Sequence, residues 1–192
     1  YALKKADTVS VVSNDIKKIV EEIYSINDVF VHPNGVNIGK FNSLKNEKIR
    51  EELNIKDKKI IFFSGVSGRR GVDLLIKAIP FINAFSKIRS VILIAGCDES
   101  KKEKLARISK SLKVEENVIF LPLYKSPSVI KKFVSVADVT IGPLKKDLLT
   151  IGAIPLKVLD YMALGKPVIA LEGTVSKDLL VEGQNGILLH HR

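Results

Sequence analysis

Residues 59–72 read KIIFFSGVSGRRGV, and this stretch decides the fold class. Lys59–Ser64 is a continuous apolar run, which is typical of a strand buried on both faces of a parallel sheet. A loop with three glycines follows directly, and a helical pattern begins at Val72. A strand, a glycine-rich loop and a helix in this order predict a βαβ unit.

Similar apolar runs recur along the chain, and helical patterns separate them. We predict strands at Thr8–Val12, Val29–His32, Lys59–Ser64, Val91–Ala95, Val118–Leu121, Val139–Ile141, Val168–Leu171 and Ile187–Leu189. The predicted fold is α/β: a Rossmann-like, doubly wound parallel sheet with helices on both faces. A capping box at Ser100–Glu103 predicts the start of one helix, and Ser126-Pro127 predicts the start of another that runs to Ala137. Pro155 is predicted to open a further helix that ends at Gly165, and a helical pattern also covers Ser176–Glu182.

The first strand–helix unit stands apart from the rest. Its helix is expected over Asn14–Tyr24, capped by Ser13 or by its own first residue. Strong turn signals follow at His32–Gly35. We predict that residues 1–26 end one domain and that residues 27–192 form another. The alternative is that the first unit belongs to the same sheet.

The composition is that of a globular protein with a strong positive charge. The chain has 31 basic and 21 acidic residues, for a formal net charge of +10, which favours anionic partners. The basic residues are 25 Lys and only 6 Arg, and the chain has no Trp. Reading of base edges and stacking of single strands rely on Arg and aromatic side chains. We therefore predict that nucleic acid is not a partner.

Cysteine, histidine and hydropathy give further limits. Cys97 is the only cysteine, which excludes a disulfide framework, and the three histidines show no metal-ligand spacing with carboxylates. The apolar runs are far shorter than the roughly 18 residues that a membrane-spanning helix needs. We predict a cytoplasmic protein that uses no metal and no cofactor.

The loop after Ser64 is the first candidate site. Ligands of an open α/β sheet bind beyond the carboxyl ends of its strands. This loop contains glycines and two arginines, Arg69 and Arg70. Glycine amides, a helix N-terminus and guanidinium groups together suit a diphosphate. The alternative is a glycine-rich turn with two solvated arginines.

The helix after Pro155 is the second candidate. It is apolar nearly all round, so we expect it to be buried. Its charged side chains, Lys157 and Asp160, lie three residues apart on one face. Either they pair at the surface, or Asp160 accepts hydrogen bonds from ligand hydroxyls. The N–H groups around Ile154–Leu156 would face an anion in the cleft.

Several segments, taken in order, resemble the C-terminal, nucleotide-sugar-binding domain of retaining GT-B-fold glycosyltransferases of the group 1 or family 4 type. They are Pro33–Phe41 for the P-N-G-V-D…F entry, Phe63–Ala78 for the G-R…K-G loop, Leu156–Ala170 for the E-A-M-A-x-G-K-P-V-I-A block and Glu182–Leu188 for D-G-x-N-G-x-L. The resemblance implies one half of a GT-B fold, a UDP-, GDP- or ADP-sugar as donor, and metal-independent transfer with retention.

The resemblance also implies roles for single positions. Arg70 takes the place of the family's loop lysine, which neutralises the donor diphosphate. Val66 takes the place of a phosphate-binding arginine, and Arg69 could substitute for that arginine. Asp160 matches the second glutamate of the E-x7-E motif, which holds the ribose, and Gly152 the first, which contacts the donor sugar. The implied donor site comprises Gly65, Ser67, Gly68, Leu123, Tyr124, Gly152, Ile154, Pro155, Leu156, Lys157 and Asp160, with Arg69 and Arg70 as catalytic residues and Leu123 and Tyr124 at the base.

These observations predict the donor half of a hexosyltransferase. Its acceptor would be a glycan or lipid-linked glycan bound by the domain that residues 1–26 end, so the 192-residue chain alone would be inactive. Contact with the anionic inner face of a membrane is a further hypothesis. The alternatives are a degenerate nucleotide-binding module without transferase activity, since positions 66 and 152 lack the family residues, and another nucleotide-sugar reaction such as epimerisation or hydrolysis.

Overall fold

The computed structural model of the chain describes residues 3–41, 48–65, 71–122, 127–146, 150–175 and 178–190. In these residues the strands are β1 Val9–Val11, β2 Val29–Val31, β3 Lys59–Ser64, β4 Ser90–Ala95, β5 Val118–Phe120, β6 Val139–Ile141, β7 Val168–Leu171 and β8 Gly186–Leu189. The α-helices are α1 Asn14–Tyr24, α2 Lys48–Glu52, α3 Val72–Phe85, α4 Glu99–Ser111, α5 Pro127–Ser135 and α6 Leu156–Ala163, with short 3-10 helices at Leu3–Lys5, Ile38–Phe41 and Glu115–Asn117. Every predicted strand is confirmed to within one residue at each end.

Six parallel strands form the main sheet in the order β5-β4-β3-β6-β7-β8. The longest pairing joins β3 to β4, from Lys59 opposite Ser90 to Ser64 opposite Ala95. The chain builds outward from β3 on one side and then crosses over to β6 on the other, so the strand order reverses between β3 and β6. The predicted doubly wound, Rossmann-like sheet is confirmed, and its ligand crevice is expected at that reversal.

Helices cover the sheet on both faces, because neighbouring strand residues point to opposite sides. Phe62 belongs to one apolar core, which includes Val134 of α5 and Tyr161 of α6. Phe63 belongs to the other core, which includes Ile76 of α3 and the α4 residue Leu105. Continuous apolar strands are therefore buried on both sides, as the sequence predicted.

The first unit forms a separate two-stranded sheet, in which β1 pairs in parallel with β2. The alternative that this unit is the first of the main sheet is therefore wrong. The boundary between residues 26 and 27 stays a prediction. β2 lies after this boundary in the sequence, but it pairs with β1, which lies before it. Ser13 caps α1, since its hydroxyl accepts a hydrogen bond from the Ile16 N–H at 3.2 Å.

Two helix starts differ from the sequence-based expectation. α4 begins before the predicted capping box, because the Asp98 carboxylate accepts a hydrogen bond from the Lys101 N–H at 2.9 Å and so caps the helix. α6 begins at Leu156, with Pro155 as its N-cap. α5 ends at Ser135, two residues before its predicted end, and Ser126 lies outside the described residues.

The helix expected over Ser176–Glu182 is wrong for the residues that the structure describes, 178–182. The Val181 N–H donates to Oδ1 of Asn185 at 2.8 Å, and Glu182 forms a parallel bridge with Gly186. Side-chain hydrogen bonds of this kind compete with helical ones, and here they lead the chain directly into β8.

Candidate functional site

Ser64 at the carboxyl end of β3 is the point where α6 is attached to the sheet. Its carbonyl oxygen accepts a hydrogen bond from Nζ of Lys157 at 2.8 Å, and its Oγ lies 2.7 Å from the hydroxyl of Tyr161. The glycine-rich loop begins at the next residue, Gly65, whose N–H donates to the Ala95 carbonyl at 3.0 Å. The first turn of α6 and the start of this loop therefore meet at the reversal of strand order.

Aromatic contacts reinforce this attachment. The Tyr161 side chain is fully buried and meets the Phe62 ring edge-on, with 5.9 Å between the ring centroids. Nζ of Lys157 lies 4.7 Å from the centroid of the Phe63 ring, within the range of a cation–π contact. Both contacts are to residues of β3 itself, so α6 is attached to the strand at which the strand order reverses.

Asp160 pairs with a residue that the sequence did not indicate. Its Oδ1 lies 3.3 Å from Nζ of Lys131 on α5, and that same ammonium lies 3.9 Å from the centroid of the buried Phe41 ring. The alternative of a surface pair between Lys157 and Asp160 is wrong, since each has a different partner. No local pattern in the sequence indicates this pair, because its two members lie on different helices.

The N-terminus of α6 is open. Pro155 provides no side-chain cap, and Leu156 is 63% exposed. The expectation that this helix is buried is therefore wrong at its first residue. Val158, Leu159 and Tyr161 are buried. Pro155 has no side-chain acceptor for the first-turn N–H groups, and a helix start without such a cap suits an anion.

Gly152 lies against the N-terminus of α1. Its φ is +64°, and a Cβ added to it would lie 2.6 Å from the Cβ of Asp15. Its carbonyl oxygen accepts a hydrogen bond from Oγ of Ser13 at 2.6 Å, and the Ile154 carbonyl accepts one from Nδ2 of Asn34 at 2.9 Å. The β1–α1–β2 unit thus covers the position at which the resemblance implied a contact with the donor sugar.

Sequence reasoning considered Ser13 only as a helix cap. The structure gives its hydroxyl two roles, since it accepts from the Ile16 N–H and donates to the Gly152 carbonyl. Asn34 was considered only as a turn residue and as part of the Pro33–Phe41 entry segment. Both side chains bind residues more than 100 positions away in the sequence, which no local pattern indicates.

Two further lysines approach the crevice from the loop after β6. Nζ of Lys145 lies 3.1 Å from Oδ1 of Asp73 in the first turn of α3. Nζ of Lys146 approaches Gly173, and a Cβ at that glycine would lie 3.1 Å from it. Sequence reasoning missed both lysines, although their position just after a strand was a usable signal. With Lys157 they make this edge of the sheet electropositive.

Several predicted site residues lie outside the described residues, and their roles stay predictions: Ser67, Gly68, Arg69, Arg70, Leu123 and Tyr124. Of the others, the structure brings Gly65, Lys157 and Asp160 to one end of the sheet, and Gly152 and Ile154 to the contact with the first unit. Within the described residues, no group of three or more His, Cys, Asp or Glu side chains gathers as a metal site. No helix among them has both the length and the apolar character to cross a bilayer.

The fold and this site define a Rossmann-like α/β domain whose strand order reverses between β3 and β6. The model of the protein family described as "Glycosyl transferases group 1" matches residues 45–192. The chain therefore belongs to the group 1 glycosyltransferases, as the resemblance predicted.

Relatives and solved structures agree with this assignment. An uncharacterized glycosyltransferase of Methanocaldococcus jannaschii is 26% identical over 191 residues, which are 97% of this chain and 46% of that protein. A glycosyltransferase from Rickettsia africae is 18% identical with a TM-score of 0.78, over 95% of this chain and 49% of that one. Sucrose-phosphate synthase from Thermosynechococcus elongatus is 20% identical with a TM-score of 0.77, over 98% and 46%. Anabaena HepE, solved in complex with UDP, is 18% identical with a TM-score of 0.77, over 98% and 51%. The chain thus spans about half the length of the proteins it matches and has the fold of one half of a GT-B glycosyltransferase.

Proposed function

We propose that this chain binds the nucleoside-diphosphate sugar of a retaining, metal-independent hexosyltransferase. The observation that carries the proposal is the attachment of α6 to Ser64, through Nζ of Lys157 at 2.8 Å and the Tyr161 hydroxyl at 2.7 Å. This attachment brings the start of the glycine-rich loop and the carboxylate-bearing helix to the carboxyl end of β3. Two related folds, those of Anabaena HepE and of TarM from S. aureus, were solved with UDP, which supports a nucleotide as the ligand here.

The chemistry of the proposed reaction explains the need for positive charge. When the glycosidic bond to the diphosphate breaks, the leaving nucleoside diphosphate gains negative charge. Fixed N–H dipoles and cations around it lower the barrier most if they are already in place. We assign this role to Arg70, Arg69 and the first-turn N–H groups of α6, with the electropositive edge formed by Lys145, Lys146 and Lys157 around them.

Asp160 would bind the other end of the nucleotide. Its side chain is 33% exposed, and one oxygen is paired with Lys131, so the remaining acceptor capacity is open to ribose hydroxyls. We further propose that Leu123 and Tyr124 hold the base. Gly65, Ser67 and Gly68 would let the backbone approach the diphosphate closely.

Acceptor binding belongs, in this proposal, to parts of the enzyme beyond these 192 residues, because the chain spans about half the length of its relatives. We expect no sugar transfer by this chain alone. The proposed acceptor is a glycan or a lipid-linked glycan, and the proposed location is the cytoplasm, with peripheral contact to the anionic inner face of a membrane.

One observation favours a second candidate, a nucleotide-binding module that transfers no sugar. Gly152 is covered by α1, so the position where the family has a sugar-contacting glutamate has no room for a side chain. Turnover by the full-length protein with its donor separates the two: transfer supports the enzyme, and nucleotide binding without transfer or donor hydrolysis supports the module.

Calorimetric titration of the chain with UDP, GDP, ADP and a short DNA duplex tests the proposal. We expect saturable binding of the nucleoside diphosphates with preference for one base. Binding of DNA alone, falling steeply with added salt, would contradict it, because that behaviour comes from phosphate neutralisation over an extended surface.

A further inference from the structure

α3 is apolar on its outer side as well as its inner side. Its sequence, VDLLIKAIPFINAF, contains only three polar residues. The inner side is buried in the core through Leu75, Ile76 and Ile79. Its outer side exposes large apolar side chains, and another follows just after the helix: Leu74 is 43% exposed, Phe81 68%, Phe85 92% and Ile88 45%. A helix that is apolar all round is normally covered on all sides.

We call these four exposed residues the α3 stripe. Leu74, Phe81 and Phe85 are spaced at seven and four residues, so they lie on one face of the helix. Beside the stripe lies an apolar groove of about 460 Å³, bounded by Leu74 and Ala78 on one side and by β6, β7 and β8 on the other. Large apolar side chains exposed on one helix face beside an apolar groove are typical of an interaction site.

Positive charge surrounds the stripe. α4 packs beside α3 over the same face of the sheet. Three of the cations on α4 are paired with carboxylates of the same helix or of its cap. Within the described residues, no salt bridge is formed by the remaining exposed lysines of these two helices and the turn after α3, which are Lys77, Lys87, Lys104 and Lys110. The face formed by α3 and α4 therefore combines exposed aromatic rings with unpaired ammonium groups.

We propose that this face rests on an anionic lipid surface, with Phe81 and Phe85 inserted between the headgroups. Buried apolar area and attraction to anionic lipid together drive such binding, and each well-placed cation strengthens it. Charge complementarity argues for lipid over a second copy of the chain, because two such faces would bring like charges together. The inference rests on the membrane contact in the proposed function and assigns that contact to named residues.

Vesicle co-sedimentation tests this assignment. The wild-type chain should bind vesicles of phosphatidylcholine with phosphatidylglycerol, bind vesicles of phosphatidylcholine alone far less, and lose binding as salt is added. The double variant Phe81→Ser/Phe85→Ser should lower partitioning about tenfold or more, since each ring loses its transfer into the interface. Ile23→Ser on α1 is the matched control, because Ile23 is as exposed as Phe81, and it should bind like wild type.

A second pair of variants tests the charge. Lys104→Glu/Lys110→Glu should abolish the preference for anionic vesicles, whereas Lys18→Glu/Lys48→Glu changes the net charge equally at exposed positions outside α3 and α4 and should keep it. The proposal is overturned if the wild type binds no anionic vesicle, if the aromatic variant binds as well as the control, or if the aromatic variant converts a dimer into a monomer without affecting vesicles. UDP titration of every variant distinguishes failure of the membrane proposal from failure of the proposed donor site. None of these residues belongs to that site, so every variant should bind UDP like the wild type.

Discussion

Oδ1 of Asp160 and Nζ of Lys131 lie 3.3 Å apart, and this pair joins α6 to α5 at the proposed ribose position. Lys131 is the more buried partner, with 18% of its side chain exposed against 33% for Asp160, and its ammonium also contacts the Phe41 ring. The lysine therefore fixes the carboxylate from the protein side. The exposed side of Asp160 is where we propose that a ribose hydroxyl binds.

The Asp160→Asn variant tests this arrangement. We expect nucleoside diphosphate binding to weaken by about 1.5–3 kcal/mol, because charge-assisted hydrogen bonds to ribose hydroxyls are lost. Binding of inorganic pyrophosphate should hardly change, since it has no ribose. Calorimetric titration with both ligands measures the difference. Asp57→Asn, at an exposed carboxylate, is the control for net charge, and equal losses for both ligands would mean that Asp160 is structural.

The Arg70→Ala variant tests the proposed diphosphate contact. If Arg70 makes charge-assisted hydrogen bonds to the diphosphate, the variant should bind both nucleoside diphosphates and pyrophosphate about 1.5–3 kcal/mol more weakly. Arg89→Ala removes an exposed guanidinium that pairs with Glu116 and should leave binding unchanged. Unchanged affinity in Arg70→Ala would remove this residue from the site.

Asp138 before β6 should make stability depend on pH. Burial by itself raises the pKa of its carboxyl, but hydrogen bonds from the Ile60 N–H, Arg50 and Lys59 outweigh burial and hold the pKa below its ordinary value. A folded-state pKa below the unfolded value gives stability that is present above the unfolded pKa, about 4, and lost as the pH falls through the folded one.

The Asp138→Asn variant should therefore lose about 1–3 kcal/mol of unfolding free energy at pH 7, and the difference from wild type should shrink below about pH 4. Urea unfolding at several pH values measures both. Asp28→Asn, at an exposed carboxylate, should show no such loss. A difference for Asp138→Asn that stays constant down to pH 3 would mean that the charge of Asp138 is not what stabilises the fold.

The sheet could be predicted from the sequence because its cause is local. Ile60–Phe63 are apolar without interruption and turn residues follow them, which favours a strand between two helical layers. The strand in the structure has the predicted bounds, Lys59–Ser64. The helix expected after Ser176 failed because the Asn185 side chain binds backbone at Leu179 and Val181, and helical propensity does not include that competition.

The candidate site could be predicted only in part, because local patterns show single residues but not their distant partners. Lys157 and Asp160 were predicted because both lie on one helix near a recognisable block of sequence. Their partners were not, because Ser64 lies 93 residues from Lys157, and the pair of Asp160 with Lys131 joins two different helices. Such contacts depend on which strands and helices become neighbours in the folded sheet, and a local sequence pattern does not contain that information.

Gly152 provides the last prediction, because two separate constraints act on it. Its φ of +64° disfavours any residue with a Cβ, and a Cβ there would also lie 2.6 Å from the Cβ of Asp15 on α1. Gly165 has nearly the same φ, +65°, but no atom within 4 Å of the added Cβ. Comparison of the two alanine variants therefore separates backbone strain from contact with α1.

We expect Gly165→Ala to cost about 1 kcal/mol of unfolding free energy, from the left-handed backbone alone. Gly152→Ala should cost about 2–4 kcal/mol, because overpacking against α1 adds to the same strain. Urea unfolding measures both costs. Combining Asp15→Gly with Gly152→Ala should remove most of the cost that exceeds that of Gly165→Ala, since it deletes the Cβ that clashes. Equal costs at the two glycines would mean that α1 yields to the new methyl group. In that case a glutamate at position 152 could also be accommodated, and the absence of the family residue there would not reflect the packing of the first unit.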